Sequence, residues 1–562
     1  MIFYKQSELS DTAMNILKKR YFWEGETSWE DVVNRVNNFV MSDEPETDKE
    51  LSRQMMLNRY FIPSSPTLVN AGRPLAGLAA CFVVDFEDNI ESIYKTKLNF
   101  ALIARKGGGC GTTLSKIRPE NSPVAGSSHG YAAGPVNFFN TICHDMEVIT
   151  QGSGFRAMAM MASMSVYHPD IIKFITAKTT EGKMSNTNIS VVVDDLFMQK
   201  VENDEEYTTT FNGVLYDTYK AKDIFNLIVD SAWKNGEPGI LSYDRMNDSP
   251  YKYSGQEIMT TNVCGEQPLP FNGVCTLGSL DISKFLSEDK TINLELLELA
   301  TRLSVKFLDN VVTINTYPTH EITDWSKNNR AIGLGIMGLA DYYMKRGIAY
   351  GSDKALEELS FILSFIKNIA EDESISLGNI RGIPETCKNL PIPRRNVTVL
   401  TVAPTGSISI FAGCNSGIEP YFSDIIARTD KTGSYEFDYS KLAEEDYFRC
   451  AVSSNGATEV TWKEHIDTLS ICQKFIDSGV SKSINFPKRT KRDTIYDAFI
   501  YAWKSGVKGI TVYRNGSREQ EVLTPQEIKK NHCPLCKTEL IRESGCTKCS
   551  NPECGFSLCE VG

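Results

Sequence analysis

Short runs that are apolar on both faces, set between long helical stretches, constrain this chain more than any other feature. Residues 188–193 (N-I-S-V-V-V) and 397–402 (V-T-V-L-T-V) are too short and too β-branched for helices. They read as fully buried strands. Helical periodicity fills the neighbourhoods of 222–234, 293–310 and 354–378. Strands that alternate with helices at this spacing predict an α/β core with mainly parallel strands. The run 79–85 (A-A-C-F-V-V-D) adds a short buried strand carrying Cys81. At 562 residues the chain exceeds one simple core, so several domains or one large barrel with appendages is expected.

Composition narrows the function. The net charge of -12 argues against nucleic acid or an anionic membrane as partner, since phosphate contacts need a basic surface. No apolar segment approaches the ~20 residues of a bilayer span, and no basic, then apolar leader opens the chain. Fifteen cysteines, an odd number, do not read as a secreted disulfide framework. The expected setting is reducing cytoplasm, with cysteines in metal or redox chemistry.

Three regions are expected: a helical region at 1–60, a core at 61–518 and a cysteine-rich tail at 519–562. In the first, Val32, Val33, Val36, Phe39 and Val40 form a helical apolar stripe, and the region reads as a packing appendage. The Pro- and Ser-rich stretch after Phe61 reads as a loop, and Asp88–Asn89–Ile90 opens a helix. A glycine cluster at 107–111 either admits a close backbone approach or is a flexible loop. Met158, Met160, Met161 and Met164 form a core element or an adaptable loop. The G-x-G-x-x-G string at 333–338 lacks a preceding strand, so it reads as a tight helix approach and not as a dinucleotide site.

The stretch 261–281 cannot be one regular element, because Gly265, Pro268, Pro270 and Gly273 interrupt it. Asn262, Cys264 and Glu266 occupy alternate positions; in extended backbone they would point the same way. Cys275 follows eleven residues after Cys264. After the second buried run, A-P-T-G-S-I-S-I forms a strand-to-helix turn that suits a phosphate or is an ordinary N-cap. In the tail, Cys533, Cys536, Cys546 and Cys549 have zinc-ribbon spacing. Cys554 and Cys559 remain as a tethered thiol pair able to exchange with a disulfide, unless all six cysteines bind metal.

In this order these motifs resemble the catalytic subunit of ribonucleotide reductases: S-P-T-L-V-N-A-G, the Cys81 strand, the glycine cluster, N-x-C-G-E, A-P-T-G-S-I-S and the terminal cysteine pair. The resemblance implies a ten-stranded α/β barrel whose central finger loop carries the radical cysteine. It makes Cys264 the thiyl-radical residue, Glu266 the base for the 3′-hydroxyl and Asn262 the amide that orients the sugar. Cys81 and Cys275 become the reducing pair, re-reduced by Cys554 and Cys559. Ser65, Ala80, Gly109, Pro404, Thr405, Gly406, Ser407, Ile408 and Ser409 match substrate-contacting positions. Asp88, Arg118 and Arg156 match regions near a deoxynucleotide effector site.

The radical source divides the family. Members with a separate metal-bearing subunit carry two adjacent tyrosines where this chain has Val512 before Tyr513. That string and the eleven-residue cysteine spacing resemble the adenosylcobalamin-dependent branch. The implied partners are a diphosphate substrate, a thioredoxin- or glutaredoxin-like reductant and a second copy in a homodimer. Val263 stands where the family has proline, which alters loop stiffness but removes no reactive group. A subunit driven by a separate metalloprotein, and a zinc-ribbon binding protein on a scaffold, are the competing readings.

Overall fold

The computed structural model describes residues 3–4, 8–74, 77–124, 129–149, 158–179, 183–430, 433–518 and 521–526, with 540–543, 546–551, 553–554 and 557–559 in the tail. Its strands in chain order are β1 (Phe61–Pro63), β2 (Cys81–Val83), β3 (Gly109–Thr113), β4 (Met160–Ser165) and β5 (Thr187–Val193). An outlying hairpin, β6 (Glu206–Phe211) and β7 (Val214–Lys220), precedes β8 (Gly239–Ser242), β9 (Val274–Asp281) and β10 (Ile332–Met337). A surface pair, β11 (Ile425–Asp430) and β12 (Gly433–Asp438), is followed by β13 (Ser483–Phe486), β14 (Gly509–Arg514) and β15 (Leu523–Pro525).

The strands β2, β3, β4, β5 and β8 lie side by side and parallel. A second parallel run joins β9 to β10 and β13 to β14. Residues 397–402 bridge its halves, pairing Leu334 with Leu400 and Val402 with Val480. Two antiparallel seams, β2 with β9 and β8 with β14, close the barrel. Ten strands hydrogen-bond into this one sheet, with β1 added along β9. Strands buried on both faces account for the unbroken apolar runs.

Several expectations need correction. Residues 397–402 are buried and extended but pair only at isolated bridges, because the Asp477 carboxylate accepts the Val399 and Leu400 amides at 2.9 and 3.3 Å. The string 333–338 lies mostly within β10, and its glycines admit a strand, not a helix. A Cβ on Gly335 would sit 2.4 Å from the Thr401 carbonyl oxygen. The stretch expected as a loop after Pro63 contains a six-residue helix, Ser65–Asn70. Met160, Met161 and Met164 are buried in β4, which excludes the adaptable-loop reading for them.

The predicted outer helices are present as Ala221–Asn235, Leu294–Ile314 and Asp353–Arg381. The N-terminal region folds as α1 (Asp11–Arg20), α2 (Trp29–Val40) and α3 (Glu46–Leu57). A capping box between Ser28 and Asp31 starts α2, whose Val32, Val33, Val36 and Val40 are buried. Phe39, expected in that stripe, is 39% exposed, because it falls off the buried face. Among the described residues no helix is long and apolar enough to cross a membrane.

Candidate active site

The stretch before β9 enters the barrel as a tight hairpin. Thr261 bridges Pro268, the Asn262 amide donates to the Gln267 carbonyl at 3.0 Å, and Gly265 turns the chain at a φ of 82°. The backbone is therefore not extended, as alternate spacing had suggested. Asn262 and Glu266 are buried on the two legs, and Cys264 is exposed at the tip.

The glycine cluster makes room for this finger. A Cβ on Gly111 would lie 1.9 Å from the Thr261 carbonyl oxygen, and one on Gly109 would lie 2.8 Å from Val263. This is close backbone approach, not a flexible loop. The far leg is pinned where the Thr401 hydroxyl and the Gly479 amide both donate to the Glu266 carbonyl at 2.8 Å. Near the tip, the Asn188 side-chain amide donates to the Val263 carbonyl at 2.9 Å.

Beneath the finger, Cys81 on β2 and Cys275 on β9 are directly opposed across the antiparallel seam. Such pairs hold their Cα atoms about 4.5–5.5 Å apart, inside the 4.4–6.8 Å range of disulfides. Both cysteines are buried thiols. The Cys81 thiol donates to Glu266 Oε1 at 3.6 Å and accepts from Asn262 Nδ2 at 3.0 Å. Burial, reinforced by the Glu266 charge, pushes both thiols well above the ordinary range, so they hold their protons at neutral pH. Burial also raises the Glu266 carboxyl. Its Oε2 is buried without a partner among the described residues, an acceptor left for something in the cavity.

A cavity of about 470 Å³ joins these groups to the 404–408 turn. Cys81, Asn262, Cys264 and Glu266 line it, as do Ser65, Ala80, Gly109, Pro404, Thr405, Gly406, Ser407 and Ile408. Ser409 is not among them; its hydroxyl pairs with Ser416 at 3.0 Å on the wall of a different cavity. Among the lining residues that sequence reasoning missed, three carry side chains from outside the motifs. Arg20 and Tyr21 come from the N-terminal region, which is thus more than a packing appendage, and Arg428 comes from β11. Their only sequence signal was an ordinary basic helix end and an ordinary strand.

The second cavity, about 740 Å³, shares Val263 and Cys264 of the finger with the first, and also Pro404 and Arg428. Ile240 and Val512 contribute apolar walls, and Asn188, Ser190, Asn485, Thr511 and Tyr513 contribute polar groups.

The other expected sites are apart from these cavities. Asp88 and Arg118 pair with each other at 2.9 Å near the start of the helix Ile90–Arg105. Arg156 lies outside the described residues, as do Cys533 and Cys536. Cys546 and Cys549 bound one tail strand, whose register sets Cys546 opposite Cys559. Cys554 is half-buried. Among the described residues no cluster could hold a metal ion.

The barrel and its central finger loop define the structural class: a ten-stranded α/β barrel with reactive side chains gathered around a cysteine-tipped hairpin. Comparison with known proteins gives the family. The ribonucleotide reductase barrel domain matches residues 79–394 and 391–513, and the ribonucleotide reductase all-alpha domain matches residues 7–76. The chain belongs to the ribonucleotide reductase large-chain family. A vitamin B12-dependent ribonucleoside-diphosphate reductase of Thermoplasma acidophilum is 37% identical over 507 residues, 84% of this chain and 66% of that protein. One of Mycobacterium tuberculosis is 32% identical over 563 residues, 92% of this chain and 81% of its own length. The Actinobacillus ureae class Id ribonucleotide reductase alpha subunit superposes with a TM-score of 0.76 at 20% identity, over 90% of this chain and 97% of that one, a likeness of fold.

Proposed function

We propose that this chain reduces ribonucleoside diphosphates to 2′-deoxyribonucleotides by thiyl-radical chemistry, with adenosylcobalamin as the radical source. The observation that carries the reading is the opposed Cys81–Cys275 pair, whose Cys81 donates to Glu266 and lines, with Glu266, a cavity that Cys264 also lines.

Cys264, as a thiyl radical, takes the 3′ hydrogen atom of the ribose. Glu266, with an open acceptor oxygen, takes the 3′-hydroxyl proton. The 2′-hydroxyl then leaves as water with a proton from the Cys81–Cys275 pair, whose thiols keep their protons at neutral pH. Two electrons from the pair complete the reduction, leaving a disulfide, and Cys264 returns the hydrogen atom to the 3′ carbon. One ribonucleotide and two thiols thus give one deoxyribonucleotide, one disulfide and one water. Asn262 orients the sugar hydroxyls.

The larger cavity is where the cofactor would bind. It meets the first at Val263 and Cys264 of the finger as well as at Pro404 and Arg428, and its mixed walls suit an apolar ring edged with amides. Asn188, Ser190, Asn485, Thr511 and Tyr513 would hold it. When bound, adenosylcobalamin supplies the one-electron chemistry that oxidises a thiol within reach.

Around this centre, Cys554 and Cys559 re-reduce the pair by exchange and pass the disulfide to a thioredoxin- or glutaredoxin-like protein. Cys533, Cys536, Cys546 and Cys549 hold zinc. A second copy packs on the helix Ile90–Arg105, where Ile90, Tyr94 and Leu98 form an exposed stripe at helical spacing, and a deoxynucleotide effector binds near Asp88, Arg118 and Arg156.

The test is anaerobic turnover of the purified chain with cytidine diphosphate, dithiothreitol and adenosylcobalamin. Cofactor-dependent deoxycytidine diphosphate is the expected product. Product that appears only with a separate metalloprotein would overturn the cobalamin assignment.

A further inference from the structure

Two cationic side chains reach the 404–408 turn from distant parts of the chain. Arg20, the last residue of α1, donates to the Ser407 hydroxyl at 3.1 Å. Arg428, on β11, donates to the Gly406 carbonyl at 2.8 Å. Both line the cavity that contains Cys264 and Glu266. The turn itself is set for an anion. Thr405 takes a left-handed φ of 51°, and its hydroxyl accepts the Gly417 amide at 2.8 Å. Among the described residues the Gly406 and Ser407 amides donate to no protein acceptor.

Neutral amides and hydroxyls match the shape of a phosphate but not its charge. This chain is acidic overall, and the same cavity contains the Glu266 carboxyl, so a buried anionic group needs cations beside it. A guanidinium meets two phosphate oxygens at once with parallel N–H donors, which a lysine cannot do.

We propose that Arg20 and Arg428 clamp the terminal phosphate of the substrate, so that the N-terminal helical region forms part of the binding site. The identity of the substrate rests on the reductase reading; the clamp does not. Because its two arms come from separate elements, occupancy ties α1 and β11 to the barrel through the ligand.

The experiment uses the full chain without cofactor and three probes: inorganic pyrophosphate, cytidine diphosphate and cytidine. Calorimetry should show that Arg20→Ala and Arg428→Ala each weaken pyrophosphate and cytidine diphosphate by roughly tenfold to a hundredfold, with cytidine unchanged. Arg20→Lys should recover part of the loss. In turnover, KM should rise while kcat holds within about twofold. Should the alanine variants not fold, hydrogen exchange on the unaltered chain decides: pyrophosphate should slow exchange at residues 11–20 and 425–430. Variants that bind cytidine diphosphate like the parent, or an unaltered chain with no such protection, would overturn the clamp. Arginine-dependent pyrophosphate binding without any deoxynucleotide product would sink the reductase reading and keep the clamp.

Discussion

Burial holds the Glu266 carboxyl above the usual carboxylate range, so its ionised form is less stable in the fold than in the unfolded chain. The destabilisation is complete above the folded pKa and absent below the unfolded one. Glu266→Gln should therefore raise Tm at neutral pH, with the gain fading as pH falls through and below the raised pKa, while abolishing turnover. A calorimetric pH series reads both limits, and an unchanged Tm at pH 7 would show that the carboxyl bears no such cost. The same shift places the acidic limb of kcat/KM above the ordinary carboxylate range, since Glu266 must be ionised to act as base. Cys264→Ser is expected to reduce deoxynucleotide formation to background yet leave cytidine diphosphate affinity within about threefold, because the finger is held by backbone contacts away from that side chain. Retained turnover would remove Cys264 from its proposed role.

At the scale of elements, the finger depends on what its neighbours lack. Gly111 sits in β3 with the Thr261 carbonyl where a side chain would go. Gly111→Ala must push the near leg aside and should cost about 1–3 kcal/mol, measured by denaturant unfolding, with turnover falling further than stability accounts for. A neutral effect on both would mean that the leg has slack. The seam between β2 and β9 has the complementary property. It opposes Cys81 and Cys275 in register, so an oxidised pair needs no backbone displacement. The Asp477 caps on residues 399–400 show a further local solution, in which a side chain replaces a ladder at a closing position of the barrel.

For the whole molecule, β15 pairs with β11 on the surface sheet, and the Gln526 amide donates to the Ile425 carbonyl at 2.9 Å. The tail is thereby rooted beside the strand that supplies Arg428. A chain ended after Gln526 should keep its fold and form about one product per site in a single turnover. It should lose multiple turnover with a thioredoxin-like reductant and regain it with excess dithiothreitol. Undiminished multiple turnover with the protein reductant would show that Cys554 and Cys559 carry no electrons.

Much of this was legible in the amino-acid order, and the reason is local chemistry. Buried parallel strands must be apolar on both faces, so 188–193 announced a stave of the barrel. Prolines and glycines exclude regular structure, so 261–281 announced a loop, and the family motifs named Asn262, Cys264, Glu266, Cys81 and Cys275. What the order of residues could not disclose depends on placement across hundreds of positions. That Cys81 faces Cys275 follows from register across a barrel seam. That Gly111 exists to admit Thr261 follows from a contact between two segments with no common period. That an arginine from the first helix meets a serine 387 positions later follows from packing of whole domains, for which neither residue carries a local signal. Periodicity and turn chemistry are properties of neighbours in the chain, whereas a site is a property of neighbours in space.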